Sequence, residues 1–133
     1  MRLVIPSAVY VDYLWPNKSI FSLESVLAAA NKACQNLGTR LGPRKKLLED
    51  SAVSVIKLKI TSPAGAGRIV FRMVEPLGII MPVLAVPKND KKIGMNFAIE
   101  NTDFITAYAT MLRKIKKDLD EGRADIFDLD KIS

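Results

Sequence analysis

Apolar and polar residues alternate along two neighbouring stretches in the middle of the chain. Residues 53–61 and 67–75 each place an apolar side chain at every second position, with charged residues between them. A period of two is that of a β-strand with one buried face. The residues between the stretches, 62–67, are Ser-Pro-Ala-Gly-Ala-Gly, a composition typical of turns. The pattern therefore predicts an antiparallel hairpin.

Four cations of this hairpin are expected to share one face of the sheet. They are Lys57, Lys59, Arg68 and Arg72. A shift of one residue would bury charges, so the alternation fixes the face on which these side chains lie. Lysine and arginine also suit an ordinary solvated sheet face. However, the two strands carry no acidic residue on the same face to pair with them, which favours a surface that binds an anion.

Other apolar stretches predict the remaining strands. Residues 2–5 are expected to form a short strand, and residues 8–15 fit either a strand or a short helix. Residues 79–86 are almost continuously apolar, as in a strand covered on both faces. Pro82, in the middle of that stretch, instead favours an edge strand or a bulge.

Helical spacing appears in two long segments. Residues 23–37 place apolar side chains on one stripe, with Ser22 as the N-cap and Gly38 as the stop. Residues 104–121 show the same spacing, with Thr102 as the cap and Gly122 as the stop. A shorter helix is predicted from residue 43 to about residue 50, because Pro43 suits a first helical position.

These elements together predict an α+β fold. We expect a twisted antiparallel β-sheet with helices packed on one face, forming a single domain over residues 1–133. That length is sufficient for one hydrophobic core. The last residues, from about 123 to 133, are acidic, and either remain a solvated tail or fold over part of the basic face.

Composition narrows the possible chemistry. The chain has no histidine and one cysteine, Cys34, which excludes a His/Cys zinc site, a histidine-based catalytic triad and an internal disulfide. We expect no metal and no cofactor. The lack of disulfides and of a long apolar run indicates a cytoplasmic protein with no membrane segment. Cys34 lies on the apolar stripe of the first long helix and is expected to be a buried, unreactive side chain.

The charge is unevenly distributed. Residues 1–117 hold 18 Lys/Arg and 8 Asp/Glu, whereas residues 118–133 hold 2 and 6. A basic body of this kind favours a polyanionic partner such as RNA or DNA. Beyond the hairpin, basic residues concentrate around the predicted short helix and after the third central strand. The candidate nucleic-acid contacts are Arg40, Arg44, Lys45, Lys46, Arg72, Lys91 and Lys92.

One sequence segment resembles a known family. The residues IKLKITSPAGAGRIVFRMVE, followed by IIMPVLAVPKNDKK, are similar to the central strands of the RelE/ParE superfamily of toxin–antitoxin toxins. The shared features are a charged strand, a glycine-containing turn, a strand opening with arginine, and an apolar strand ending in a basic turn. The similarity covers about 40 residues, and the order of the predicted elements agrees over the rest.

The resemblance implies a reaction and a set of residues. Ribonucleases of this family cut mRNA on the ribosome, where a 2′-hydroxyl attacks the adjacent phosphate and Lys and Arg side chains assist. Lys57 and Lys59 correspond to the basic strand positions, Arg68 to the arginine that opens the next strand, and Lys88 to the basic residue after the third strand. RNA or the ribosome, and an acidic antitoxin protein, are the implied partners.

The sequence leaves three functions open. Family members often place a Tyr or His near the last helix, but here residues 93–97 read Ile-Gly-Met-Asn-Phe. The chain is therefore expected to be either an endoribonuclease or a basic domain that binds nucleic acid or protein without cleaving anything. Superfamily members of the ParE type inhibit DNA gyrase, which is the third possibility.

Overall fold

A six-stranded sheet forms the centre of the protein. The computed structural model describes residues 1–42, 47, 49–89 and 101–131. The strands are β1 (Arg2–Pro6), β2 (Thr39–Arg40), β3 (Val53–Ser62), β4 (Gly65–Val74), β5 (Ile79–Pro87) and β6 (Ala124–Asp128). Their order across the sheet is β2-β3-β4-β5-β1-β6, and only β1 and β5 run parallel.

In the described residues, three helices accompany the sheet. They are α1 (Ser7–Val9), which continues into a π-helical turn (Tyr10–Leu14), then α2 (Leu23–Cys34) and α3 (Thr102–Asp120). The α+β class and the mostly antiparallel sheet predicted from the sequence are confirmed. The stretch that fitted either a strand or a helix, residues 8–15, is helical through Leu14, and Trp15 begins a turn. Among the described helices, none combines the length and apolar character needed to cross a membrane.

The predicted hairpin is formed by β3 and β4. Ten residue pairs run from Val53 opposite Val74 to Ser62 opposite Gly65, and the turn consists of the two residues between the last pair. This register is the one that the alternation requires, because on one face of the hairpin it pairs Ile56 with Phe71 and Leu58 with Ile69. It also places Lys59 directly opposite Arg68.

The two long helices cover opposite faces of the sheet. On the face of Ile60, Ala29 of α2 lines a shared cleft with β3. On the other face, Ile115 of α3 lines a cleft with Arg72 and Met81, which are paired neighbours in β4 and β5. We refer to these as the α2 face and the α3 face. Helices were expected on one face of the sheet, and the structure places them on both faces.

The reason for two covered faces lies in β4 and β5. Residues 80–86 of β5 are all buried, so apolar side chains on both sides of this strand are removed from water. Val70 in β4 is also fully buried and lies on the α3 face, opposite Leu84. Burial of these side chains supplies the hydrophobic stabilisation that attaches α3 to the sheet. The prediction that residues 79–86 form a strand covered on both faces is therefore confirmed for residues 80–86.

The helix ends are set by side-chain caps and a left-handed residue. Ser22 Oγ accepts a hydrogen bond of 3.1 Å from the backbone N–H of Ser25, as expected of an N-cap. At the start of α3, the cap is Asn101, whose Oδ1 accepts from Asp103 N–H at 3.0 Å, one residue before the predicted Thr102. The first long helix ends earlier than predicted, because Asn36 already adopts a left-handed conformation with φ of 60°.

The acidic C-terminal segment forms part of the sheet. Ala124–Asp128 is strand β6, which makes five antiparallel residue pairs with β1. It therefore lies at the opposite edge of the sheet from β2 and β3, and does not cover the cations of the hairpin. Of the two expectations for this segment, a solvated tail or a cover over the basic face, neither describes residues 124–128.

Asp118 connects three parts of the fold. Its carboxylate is buried and accepts hydrogen bonds from the backbone N–H of Ala8 at 2.7 Å and from Nε of Arg123 at 3.2 Å. Ala8 belongs to α1, Asp118 to α3, and Arg123 directly precedes β6. The carboxylate therefore satisfies backbone and side-chain donors from elements that are distant in sequence.

We expect Asp118→Ala to lower the free energy of unfolding by about 1–3 kcal/mol, because it leaves the Ala8 amide without its partner. The measurement is urea denaturation followed by circular dichroism. Asp120→Ala is the control, because Asp120 is exposed in the same helix and its loss should change stability by less than about 0.5 kcal/mol. Equal stability of the two variants would contradict the role given to Asp118.

Candidate nucleic-acid interface

Three predicted catalytic cations meet on the α3 face of the β3–β4 hairpin. Lys59 is directly opposite Arg68, and Lys57 lies two residues before Lys59 in the same strand. In antiparallel sheets, the Cα atoms of opposite residues are about 5 Å apart and those of alternate residues about 7 Å apart. The three cationic side chains therefore begin within a few ångströms of one another. A phosphate bound among them would be attracted by all three charges.

The three side chains differ in exposure. Lys59 is exposed, whereas Lys57 and Arg68 are partly buried. Their stems start beside buried apolar residues, since Lys57 is paired with Val70 and Arg68 with Val86. Such an arrangement restricts the stems while the charged groups remain near the surface, and it holds the cations in place better than a freely solvated surface would.

Lys88 lies at the same end of the sheet. It directly follows β5, is exposed, and donates its backbone N–H to the carbonyl oxygen of Ala66 at 2.9 Å. Ala66 precedes Arg68 by two residues at the start of β4. The backbone bond thus fixes where the chain leaves the sheet. Three of the residues predicted to be catalytic, Lys59, Arg68 and Lys88, are therefore found near one end of the central strands, and Lys57 lies at the middle of β3.

The pKa of the Lys57 amine lies below that of an ordinary lysine. Burial lowers the pKa of the Lys57 amine below its ordinary value, and the neighbouring charges of Arg68 and Lys59 lower it further. Both effects disfavour the charged ammonium form. A lysine of this kind carries a larger neutral fraction near physiological pH than an exposed lysine does, and the neutral amine accepts protons. Sequence alone indicated a crowded lysine, and the structure identifies it as Lys57.

Arg72, predicted as a nucleic-acid contact, forms an internal ion pair. Its Nε donates to both carboxylate oxygens of Glu49, at 2.8 and 3.0 Å. The Glu49 side chain is 2% exposed and that of Arg72 is 27% exposed. Arg72 shares the face of Lys57, but its charge is balanced beneath α3. The acidic partner was missed because it lies before β3 in the sequence, outside the two strands whose faces were compared.

Tyr108 of α3 belongs to the same buried region. Its side chain is fully buried, and its hydroxyl makes no hydrogen bond of ordinary geometry within the described part of the chain. Burial, and then the charge of nearby Glu49, raise the pKa of the Tyr108 phenol far above its usual range. The phenol therefore stays protonated, and we assign it to the interior, as the apolar spacing of this helix predicted.

Arg40 lies on the other side of the sheet. It is opposite Ile56 in the register of β2 and β3, which places it on the α2 face. Its guanidinium donates to Ser54 Oγ at 3.0 Å and to Asn36 Oδ1 at 2.7 Å. Arg40 and the three hairpin cations therefore do not form one continuous surface. This placement could not be predicted from the sequence, because a two-residue strand has no detectable alternation.

The other predicted nucleic-acid contacts fall outside the described residues. They are Arg44, Lys45, Lys46, Lys91 and Lys92. Most of the short helix predicted from residue 43 to about 50 falls there as well. Of that segment the structure shows Leu47, which is buried, Glu49, the partner of Arg72, and Asp50, whose Oδ1 accepts a hydrogen bond from Ala52 N–H.

The Cys34 thiol adds no reactive group to the interface. Burial raises the pKa of the Cys34 thiol, which disfavours the reactive thiolate and agrees with its expected role as an unreactive side chain. In the part of the chain that the structure describes, no three His, Cys, Asp or Glu side chains are grouped so as to hold a metal ion.

An exposed aromatic patch was not anticipated from the sequence. Trp15 is 54% exposed, its ring centroid lies 6.0 Å from that of Tyr10, and Lys18 Nζ lies 4.0 Å from the Trp15 centroid. These residues border an apolar cleft of about 180 Å³ that also reaches Leu23. The patch follows from the helical conformation of residues 7–14, which the strand-like spacing of valine and tyrosine obscured.

Comparisons with known proteins give no relative on which to base a function. No family model, curated protein or solved structure matches this chain significantly. The proposed function therefore depends on the arrangement of the hairpin cations.

Proposed function

We propose that this protein is an endoribonuclease of the RelE/ParE type that cleaves mRNA through attack by a 2′-hydroxyl and without a metal ion. One observation carries the proposal: Lys57, Lys59 and Arg68 lie side by side on one face of a rigid hairpin, and the pKa of Lys57 is lowered. The resemblance over residues 56–92 supports the same reaction. A cluster of preorganised cations suits a phosphate that gains negative charge in the transition state.

Each cation has a distinct proposed role. The neutral amine of Lys57 takes the proton of the 2′-hydroxyl, the 2′-oxygen bonds to phosphorus, and the bond from phosphorus to the 5′-oxygen breaks. Arg68 and Lys59 stabilise the negative charge on the phosphate oxygens, Arg68 through a planar pair of donors. Lys88 supplies a proton to the departing 5′-oxygen. The products are a 2′,3′-cyclic phosphate and a 5′-hydroxyl.

We also propose the partners that this activity implies. The substrate is mRNA, either free or presented by the ribosome, and the natural inhibitor is an acidic antitoxin protein in the cytoplasm. The uneven charge supports a polyanionic partner, since residues 1–117 carry a net charge of +10. Binding of RNA should then weaken as salt concentration rises, because each phosphate contact releases counterions.

The test of the reaction is analysis of the RNA ends. A synthetic mRNA is incubated with the purified protein, with and without ribosomes, in buffer containing EDTA. We expect a 2′,3′-cyclic phosphate or 3′-phosphate on one fragment and a 5′-hydroxyl on the other. A requirement for Mg²⁺, or 5′-phosphate ends, would exclude this mechanism. Binding without cleavage would favour the non-catalytic domain, and inhibition of DNA supercoiling would favour the gyrase inhibitor.

The pH dependence follows from the lowered pKa of Lys57. Below that pKa the amine is charged and cannot accept a proton, so the cleavage rate should rise with pH and level off before the ordinary lysine value of 10.5. In Lys59→Gln, one neighbouring charge is lost, and the midpoint of the rise should move to higher pH. The measurement is a pH–rate profile under single-turnover conditions. An unchanged midpoint in Lys59→Gln would contradict the assignment of Lys57 as the base.

A further inference from the structure

Among the described residues, β2 covers only part of the outer edge of β3. Strand β2 pairs only with Lys57 and Ile56, although β3 continues to Ser62. Gly38, which precedes β2, has φ of 108°, and a Cβ there would lie 2.9 Å from the carbonyl oxygen of Lys57. Only glycine fits such a position without strain. In the part of the chain that the structure describes, the last five residues of β3 have no neighbouring strand on this side.

The alternation of backbone groups identifies which of them point outward. Leu41 N–H donates to the carbonyl oxygen of Val55 at 2.8 Å across the β2 side, so Val55 directs its backbone groups to that side. In an antiparallel ladder, every second residue does the same. Lys59 and Thr61 therefore direct both N–H and C=O outward. Within the described residues, no backbone hydrogen bond joins these groups to another strand.

A cleft runs along this edge, between β3 and α2. Its volume is about 160 Å³, and its lining consists mainly of small side chains together with two lysines: Ser25, Ala28, Ala29, Lys32, Lys59, Ile60 and Thr61. The small side chains of α2 leave room for the side chains of an added strand. Lys32 and Lys59 are both exposed, which gives the edge a positive charge on the helix side and on the strand side.

We propose that an acidic peptide segment of a partner protein binds here as an added β-strand. An extended peptide offers N–H and C=O groups in the same alternation as the edge, and this is how peptides extend open sheets elsewhere. Carboxylates on alternate positions would lie beside Lys59, while small apolar side chains would enter the cleft beside α2. RNA offers phosphate acceptors but cannot match the outward carbonyl groups. A second copy of this chain would bring lysines against lysines.

This inference concerns how a protein partner binds, and it does not depend on the proposed ribonuclease reaction. It stands on the geometry of the edge, and RNA enters its test only as a competing occupant, so failure of peptide binding would leave the ribonuclease proposal intact. If both hold, an acidic strand at this edge would place carboxylates next to Lys59, where it would compete with a phosphate for the same cations.

The probe is a nine-residue peptide that alternates valine and glutamate, carries blocked ends and bears a fluorescent label. We expect saturable binding to the full chain by fluorescence anisotropy. Thr61→Pro removes an outward N–H without removing a bond to β4, and edge strands tolerate proline, so it should weaken binding at least about five-fold. The matched control, Thr61→Ala, keeps the N–H and should bind within about two-fold of the wild type. Lys32→Gln combined with Lys59→Gln should also weaken binding.

Two further peptides keep the test decisive if Thr61→Pro folds poorly. They carry N-methyl groups on alternate backbone nitrogens, either on the valines or on the glutamates. One of them should bind the wild type normally and the other should not, because only one set of N–H groups faces the edge. Equal binding by both, no saturable binding of the parent peptide, or unchanged affinity in Thr61→Pro would overturn the proposal. So would protection of the Lys59 and Thr61 amides by self-association or by an RNA oligonucleotide alone.

Discussion

Replacing Arg68 by alanine is expected to slow RNA cleavage by about 100- to 1,000-fold. Removal of one preorganised donor to a transition state costs this much even where the donor is neutral. Arg68 faces Lys59 directly and adjoins Lys57 through the hairpin register, so it is the cation best placed to hold the phosphate that the proposed base attacks. The measurement is single-turnover cleavage of a synthetic mRNA, with circular dichroism to establish that the variant is folded.

Arg40→Ala is the matched control for this experiment. It removes the same charge from an exposed residue, but on the α2 face, where Arg40 bonds to Ser54 and Asn36. Its cleavage rate should stay within about three-fold of the wild type, since surface substitutions away from a site rarely matter. Arg68→Lys should recover only part of the activity, because a point charge does not replace the planar pair of donors. Normal cleavage by Arg68→Ala would exclude the proposed site.

The largest effect on stability is expected for Arg72→Met. This change leaves the Glu49 carboxylate, whose side chain is 2% exposed, without its bidentate partner. Breaking a buried ion pair by removing one partner costs about 3–5 kcal/mol, because the remaining charge stays buried. Urea denaturation measures the loss.

The double variant Glu49→Leu with Arg72→Met separates this cause from a general loss of packing. It removes both charges, and apolar replacement of a buried ion pair is often close to neutral, so most of the stability should return. Lys59→Met, an exposed position in the neighbouring strand, is the single-site control and should cost less than about 1 kcal/mol. If Arg72→Met were as stable as Lys59→Met, the Glu49 pair would not be a structural element of the fold.

The hairpin and its cationic face could be predicted from the sequence because their determinants are local. A period of two, sustained over residues 53–61 and 67–75, fixes both the strands and the face of each side chain. The register then brings Lys59 opposite Arg68 with no information from distant residues. The two long helices were predictable for the same reason, since their apolar spacing and capping residues lie within each segment.

The remaining features depend on contacts between residues that are far apart in sequence. The pairing of Arg72 with Glu49 requires knowing how the segment before β3 returns beneath α3. The placement of Arg40 depends on β2, which is too short to show a pattern. The acidic segment 124–128 became a strand because β1 offers it an edge, and tertiary context of this kind overrides local composition.

The position of β1 has a consequence for the order of folding. Its two neighbours are far along the chain, since Arg2 pairs with Ile79 on one side and with Asp128 on the other. The β3–β4–β5 meander, in contrast, is built from strands that follow one another directly and has low contact order. Loop closure makes distant pairings the slow ones. The meander that carries the hairpin cations is thus suited to act as the folding nucleus, and β1 and β6 to join after the transition state, where their contacts affect the rate of unfolding rather than of folding.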